Sequence, residues 1–175
     1  MQEYSEFSDI SPLAKPTRGW LPPARYTNSM FTKEIKALET LRPLQGDVVP
    51  TLYGQYHIEI PEREWPKDKV VYVSLLEFVE GVELSASIIS QLTDGEAQSL
   101  WDSVDKSIKL IHETGVIRRN RLLRKVLWNT ETGRITFTDF AQGGIIASMS
   151  EEQVIAGKNS DIGYLFDRFE EAMNE

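Results

Sequence analysis

Arg118-Arg119-Asn120-Arg121-Leu122-Leu123-Arg124-Lys125-Val126-Leu127-Trp128-Asn129, followed by Asp139-Phe140-Ala141, is the part of the chain whose reading decides the fold. Five of the eight residues from Arg118 to Lys125 are basic. Val126–Trp128 and Ile135–Thr138 read as two short strands, with Thr130-Glu131-Thr132-Gly133 as the turn between them. The acid Asp139 follows the second strand, and residues 141–149, small and partly apolar, read as a loop.

Upstream, Thr93 with Glu96 makes a capping box for a helix running to about Thr114. Its apolar side is Leu100, Trp101, Val104, Ile108 and Ile111, and Gly115 stands at its C-terminal stop. A short helix is predicted at about 84–91, after the break at Glu80-Gly81. Residues 48–57 and 70–78 read as strands from their β-branched and aromatic content. Between them, 61–69 carries two prolines and six charges and reads as a solvated connection. Phe31, Ile35, Leu38 and Leu41 recur at helical spacing, which predicts a helix over 30–43, capped by Asn28 or Ser29 and ended by Pro43 and Gly46. Residues 1–29, interrupted by four prolines and Gly19, read as an irregular arm with one short strand near 10–14. Downstream, a helix is predicted from about Asp161, with Ile162, Leu165, Phe166 and Phe169 on one face. The division is an arm at 1–29, a region of strands with one helix at 30–81, and a mainly helical region at 82–175. The class is α+β.

A chain of 175 residues fits one domain or a small two-lobed unit, and 41% hydrophobic residues suffice for a core. The absence of cysteine excludes disulfides, thiolate zinc sites and a cysteine nucleophile. The acidic, polar opening MQEYSEFSDI is not a signal or transit peptide, and no apolar run approaches the roughly 18 residues that cross a membrane. An intracellular, cytoplasmic location and no membrane partner are therefore expected. The net charge of −8 argues against nucleic-acid binding.

In order and spacing these residues resemble a protein kinase-like domain, of the divergent type found among uncharacterised fungal proteins. Glu34 lies on the first helix, in Phe31-Thr32-Lys33-Glu34-Ile35-Lys36-Ala37-Leu38. Val49-Pro50-Thr51-Leu52-Tyr53-Gly54 looks like the strand entry that follows that helix. Leu76-Glu77-Phe78-Val79-Glu80-Gly81 looks like the last small-lobe strand running into the hinge, Ile111-His112-Glu113-Thr114-Gly115-Val116 like the end of the long helix, and Thr138-Asp139-Phe140-Ala141 like the metal-binding Asp-Phe-Gly element. The resemblance covers roughly 30–142. It implies a partial kinase-like fold with a reduced small lobe and a shortened large lobe. It also implies ATP and magnesium as cofactors, with Glu34, Lys15, Glu77 and Lys125 at the nucleotide and Asp139 at the metal.

The departures fall on the chemistry. Where the family has His-x-Asp, four residues and Asn, this chain has Arg118, Asn120 and Lys125. A neutral amide at Asn120 is not a useful base, and its loss as a base costs roughly 10²–10⁴ in rate. An ammonium at Lys125 has no lone pair for a metal, and pairing with Asp139 would fill the cation's place electrostatically. No glycine-rich phosphate loop precedes the first helix, Gly19 being the only glycine in the first 30 residues, and Lys15 is the best candidate for the lysine partner of Glu34. Glu34 itself reads either as that lysine's ion-pair partner or as a solvated glutamate beside Lys33 and Lys36. Asp139 reads either as a magnesium ligand or as a structural acid that caps the next turn or pairs with Lys125. His112 reads as a structural histidine.

The residues from Glu151 to Glu175 hold seven acids and two bases, so the basic run is expected to pair within the chain, with an anion site as the other reading. The tail helix is expected to cover the long helix around Trp101; left open, that surface would call for a protein partner or self-association. Two functional readings follow. One is a catalytically impaired kinase-like protein, a pseudokinase acting as a binding or scaffolding module or standing as a remnant. The other is a divergent ATP- and magnesium-dependent phosphotransferase acting on a protein or small-molecule hydroxyl.

Overall fold

A computed structural model describes residues 14–16, 25–59 and 70–174. They form a mixed α+β architecture of four α-helices and three small antiparallel sheets. In the first sheet β1 (Ala14–Pro16), β2 (Leu52–Glu59) and β3 (Val70–Leu76) lie in that order, with an irregularity at Tyr53 where the register shifts between Leu52 and Gly54. Helix α1 (Arg25–Thr40) packs on this sheet, the Phe31 ring lying 5.2 Å from that of Tyr72. It starts five residues before the position predicted from its apolar spacing, so the proposed caps Asn28 and Ser29 lie inside it. The helix shortens the expected arm. The connection over 61–69 and most of the strand placed near 10–14 lie outside the described residues.

From β3 the chain runs through residues 77–81 to β4 (Val82–Glu83) and the short helix α2 (Ala86–Ile89). Helix α3 (Asp94–Glu113) then starts on the expected capping box, with the Thr93 hydroxyl and the Glu96 carboxylate exchanging bonds with each other's backbone N–H. Gly115 follows its C-cap with a φ of 106°, a conformation that suits glycine and turns the chain into β5 (Val116–Ile117). β6 (Val126–Trp128) and β7 (Ile135–Phe137) form the expected hairpin, and β4 adds to its edge. The loop expected at 141–149 contains structure: β8 (Gly144–Ile145) pairs with β5, and a 3-10 turn spans Ile146–Ser148.

The tail helix is longer than its apolar face suggested. Helix α4 (Glu151–Met173) begins at a second capping box, Ser150 with Gln153, ten residues before the start read from Ile162 onward. Gly157 lets it approach β5, because a Cβ there would lie 2.8 Å from Ile117 Cγ2. Leu165, Phe169 and Ala172 are buried against α3. The Trp101 ring lies 5.3 Å from Phe166 and 5.4 Å from Phe169, so α4 covers the surface around Trp101 as expected. One core joins Leu38 and Leu41 of α1, Val104, Ile108 and Ile111 of α3, Phe137 of β7, and Leu165 and Phe169 of α4. The two parts of the chain are tied by backbone as well: Phe137 N donates to Val48 O at 2.8 Å, and Arg134 Nε to Asp47 O at 2.7 Å. Among the described residues, no helix is long and apolar enough to cross a membrane.

Candidate functional site

The loop from Arg118 to Lys125 leaves β5 and enters β6, so both its ends are fixed by strands. Its first residues are anchored by Asp161 of α4. One carboxylate oxygen accepts the Arg118 backbone N–H at 2.8 Å, and the other accepts that of Arg119, also at 2.8 Å. His112 Nε2, at the end of α3, lies 3.1 Å from the same carboxylate, and both side chains are almost fully buried. A carboxylate only accepts, so the imidazole is the donor. The structural reading of His112 therefore holds, and a single acid joins α3, α4 and the loop.

The Arg118 side chain is 1% exposed and crosses beneath the loop. Its guanidinium donates to the carbonyls of Asn120 at 2.7 Å, Lys125 at 3.1 Å and Thr138 at 3.4 Å. It also lies 5.0 Å from the Phe137 ring centroid. Burial pushes this guanidinium down to about 10, against the opposing pull of the Asp161 and Asp139 carboxylates, so it stays charged at neutral pH. Its Nε is buried without a hydrogen-bond partner.

At the far end of the loop, Lys125 Nζ lies 3.9 Å from Asp139 Oδ2, each side chain about one-third exposed. This is the pairing that the sequence suggested. Asn120, 5% exposed, spends its amide inside the loop: Nδ2 donates to the Asp139 carbonyl at 3.3 Å, and Oδ1 accepts the Leu122 N–H at 3.1 Å. Arg119 and Asp139 both have left-handed backbones, with φ of 58° and 62°. A non-glycine residue held there costs about 1 kcal/mol, so surrounding bonds must hold both turns.

Glu34 points inward from α1 toward this cluster and is half-buried. Burial pushes its carboxyl above the ordinary value, as does the nearby Asp139 charge. The hydrogen bond from the Phe140 backbone N–H and the charge of Lys125 act the other way. The reading of Glu34 as a solvated glutamate beside Lys33 and Lys36 does not fit this placement.

The other expected site residues belong to the first sheet and to the segment that follows it. Lys15 lies on β1 opposite His57, and its side chain lies outside the described residues. The Glu77 carboxylate accepts the Thr51 N–H at 2.9 Å, the Thr51 hydroxyl at 3.0 Å and Arg134 at 3.2 Å. Burial alone would raise its carboxyl, but those bonds outweigh it and hold the group below its ordinary value.

The pairing expected between the basic run and the acids of the tail is not what the residues do. Among the described residues, the tail acid that meets the run is Asp161, and it receives backbone N–H groups rather than guanidinium groups. Among the described residues, Lys125 is the only member of the run in an ion pair. Asp161 and the Arg118 guanidinium are the two groups that the sequence reading missed. A signal for the first was present, because Asp161 stands four residues before Leu165 and eight before Phe169, on the apolar face of a helix. Among the described residues no three His, Cys, Asp or Glu side chains group as a metal site. Compared with known proteins, the chain matches no family model and no curated relative.

Proposed function

We propose that this chain is a kinase-like pseudoenzyme, a binding or scaffolding module that does not transfer phosphate. The contact between Lys125 and Asp139 carries the reading. Magnesium takes oxygen ligands, and an ammonium beside the Asp139 carboxylate repels the ion and offers it no lone pair. The residues around Asp139 therefore do not fit the metal that the resemblance implies. Asn120 supports the same reading, because its amide is committed to Leu122 and to the Asp139 carbonyl and is not a base near neutral pH.

The test is thermal unfolding with magnesium, with ATP, and with both. The wild-type chain is expected to show no magnesium-dependent rise in Tm. Lys125→Asn restores an oxygen ligand beside Asp139 and is expected to gain a rise that Lys125→Met does not. A magnesium-dependent rise in the wild type that Asp139→Ala abolishes would overturn the proposal.

That outcome would favour the second reading, a divergent ATP- and magnesium-dependent phosphotransferase acting on a hydroxyl. One observation speaks for it: Glu34 is held inward at Phe140 beside a partly exposed Asp139, as a working site would require.

A further inference from the structure

Three arginines of the loop have no use in the site just described. Arg119, Arg121 and Arg124 are exposed, and among the described residues none of them contacts a carboxylate with its side chain. That is unexpected in a chain with 27 acids and 19 Lys and Arg, where a spare guanidinium has many internal partners to choose from. Two of the three are nevertheless placed. Arg119 Nη2 lies 3.9 Å from the thioether of Met149. Arg121 donates to the Ser160 hydroxyl at 3.1 Å, and its Cζ lies 5.7 Å from the Tyr164 ring centroid.

The same ring carries a second cation. Arg168 Cζ lies 5.2 Å from the Tyr164 centroid, and its Nε donates to the Tyr164 hydroxyl at 3.1 Å. Arg168 also bonds Glu171 at 2.6 Å, a pair on the open face of α4 and screened by water. Ser160, Tyr164 and Arg168 stand four residues apart, on one side of the helix. Tyr164 thus braces one guanidinium from the loop and one from α4, and most N–H groups of Arg121 are left for another acceptor.

We infer that Arg121 and Arg168 on Tyr164 form a docking site for an acidic peptide segment of a protein partner. Charge complementarity identifies the occupant. Guanidinium forks match carboxylates two N–H groups at a time, and a run of acidic side chains meets cations presented by two elements. Holding the arginines on the ring lowers the ordering cost of binding. The overall negative charge of the chain opposes a polyanion, so binding depends on these local guanidinium groups and not on net charge. The inference is independent of whether Lys125 and Asp139 exclude a metal.

The full chain is titrated against a fluorescein-labelled glutamate-rich peptide of about ten residues. Fluorescence anisotropy is read at about 0.05 M and about 0.5 M salt, where screening differs several-fold. Saturable binding at low salt is expected, weakened about tenfold or more by Arg121→Ala and by Arg168→Ala, the loss of one charge-assisted contact. Arg121→Lys is expected to recover only part of it. Lys109→Ala removes one cation from α3 and is expected to change affinity less than twofold, which separates the site from net charge. Both arginines are exposed, and unchanged urea midpoints for the variants would confirm intact folding. The inference is overturned by no saturable binding, by equal losses in Lys109→Ala and Arg121→Ala, or by a single-stranded oligonucleotide binding as tightly as the peptide.

Discussion

The two ends of the loop from Arg118 to Lys125 are held by different means. At the entry, Asp161, His112 and the Arg118 guanidinium are all buried, and they make six hydrogen-bonded contacts to backbone and to one another. At the exit, Lys125 meets Asp139 at 3.9 Å in partial contact with water. Buried polar groups are costly when left unpaired and rigidify a segment when satisfied, whereas a half-exposed ion pair adds little. The entry therefore determines where the loop lies, and the exit determines what charge it presents beside Asp139. Substitution at the exit is therefore expected to alter the local charge at little cost in fold.

The contrast breaks most decisively at Asp161. Replacing it with alanine leaves the buried Arg118 N–H, the part-buried Arg119 N–H and the His112 imidazole without an acceptor. Unfolding in urea is expected to show a loss of about 3–5 kcal/mol. Asp161→Asn keeps an acceptor but turns an amide donor toward other donors, so it is expected to recover only a minor part. A loss under 1 kcal/mol for Asp161→Ala would mean that the entry is not fixed by this acid.

Arg118→Met comes next. Methionine refills most of the volume but deprives the carbonyls of Asn120 and Thr138 of their donor, and a loss of about 2–4 kcal/mol is expected. The Lys125 carbonyl keeps bonds from the Thr138 N–H and hydroxyl, so the loss stops short of that at Asp161. A neutral Arg118→Met would show that the guanidinium is a passenger. Arg118→Lys is expected to fail as a substitute, because one ammonium cannot span three carbonyls in different directions.

How much of this was legible follows from the range of the interactions. The capping box at Thr93, the hairpin over 126–137 and the pairing of Lys125 with Asp139 rest on nearby residues or on a pattern of fixed spacing, and all three are present. Asp161 bonds residues 43 and 42 positions earlier in the chain, and nothing local in either segment specifies the match. The same holds for Arg134, which reaches Glu77 across 57 positions. The start of α4 was misplaced for a different reason. Its first two turns hold Val154, Ile155 and Ala156 but bury none of them, and burial begins only at Gly157 and Asp161, so hydrophobic spacing marked the part that is buried and not the part that is helical. The Ser150 and Gln153 capping box was the better signal there.

A second comparison, between Glu77 and Glu34, sharpens the first through pH. Glu77 is held below its ordinary value of 4.5. Its contribution is complete above pH 4.5 and is lost as the pH falls through its lower folded value. Glu34 is pushed above 4.5, mainly by burial. Its charge costs nothing below pH 4.5, and the cost appears as the pH rises from 4.5 through its folded value. Urea midpoints between pH 3 and pH 7 should therefore move in opposite senses. Glu77→Gln is expected to lose about 1 kcal/mol at pH 7 and less in acid. Glu34→Gln keeps an acceptor for the Phe140 N–H and is expected to be unchanged or up to about 1 kcal/mol more stable at pH 7, with no gain in acid. A loss at pH 7 for Glu34→Gln would show that the carboxylate is held by a cation stronger than Lys125.

The smallest effect is expected at Lys125, and its smallness is the point. Lys125→Met removes a pair that is one-third exposed and should change stability by about 0–1 kcal/mol. The Lys125 carbonyl, which does the structural work, is part of the backbone and is unaffected by the substitution. The left-handed turn at Asp139 likewise keeps its tie through the Asn120 amide. A loss above about 2 kcal/mol would mean that the ammonium supports the loop as Arg118 does. The exit would then be a second structural end, and its lysine would serve the fold and not the charge it presents.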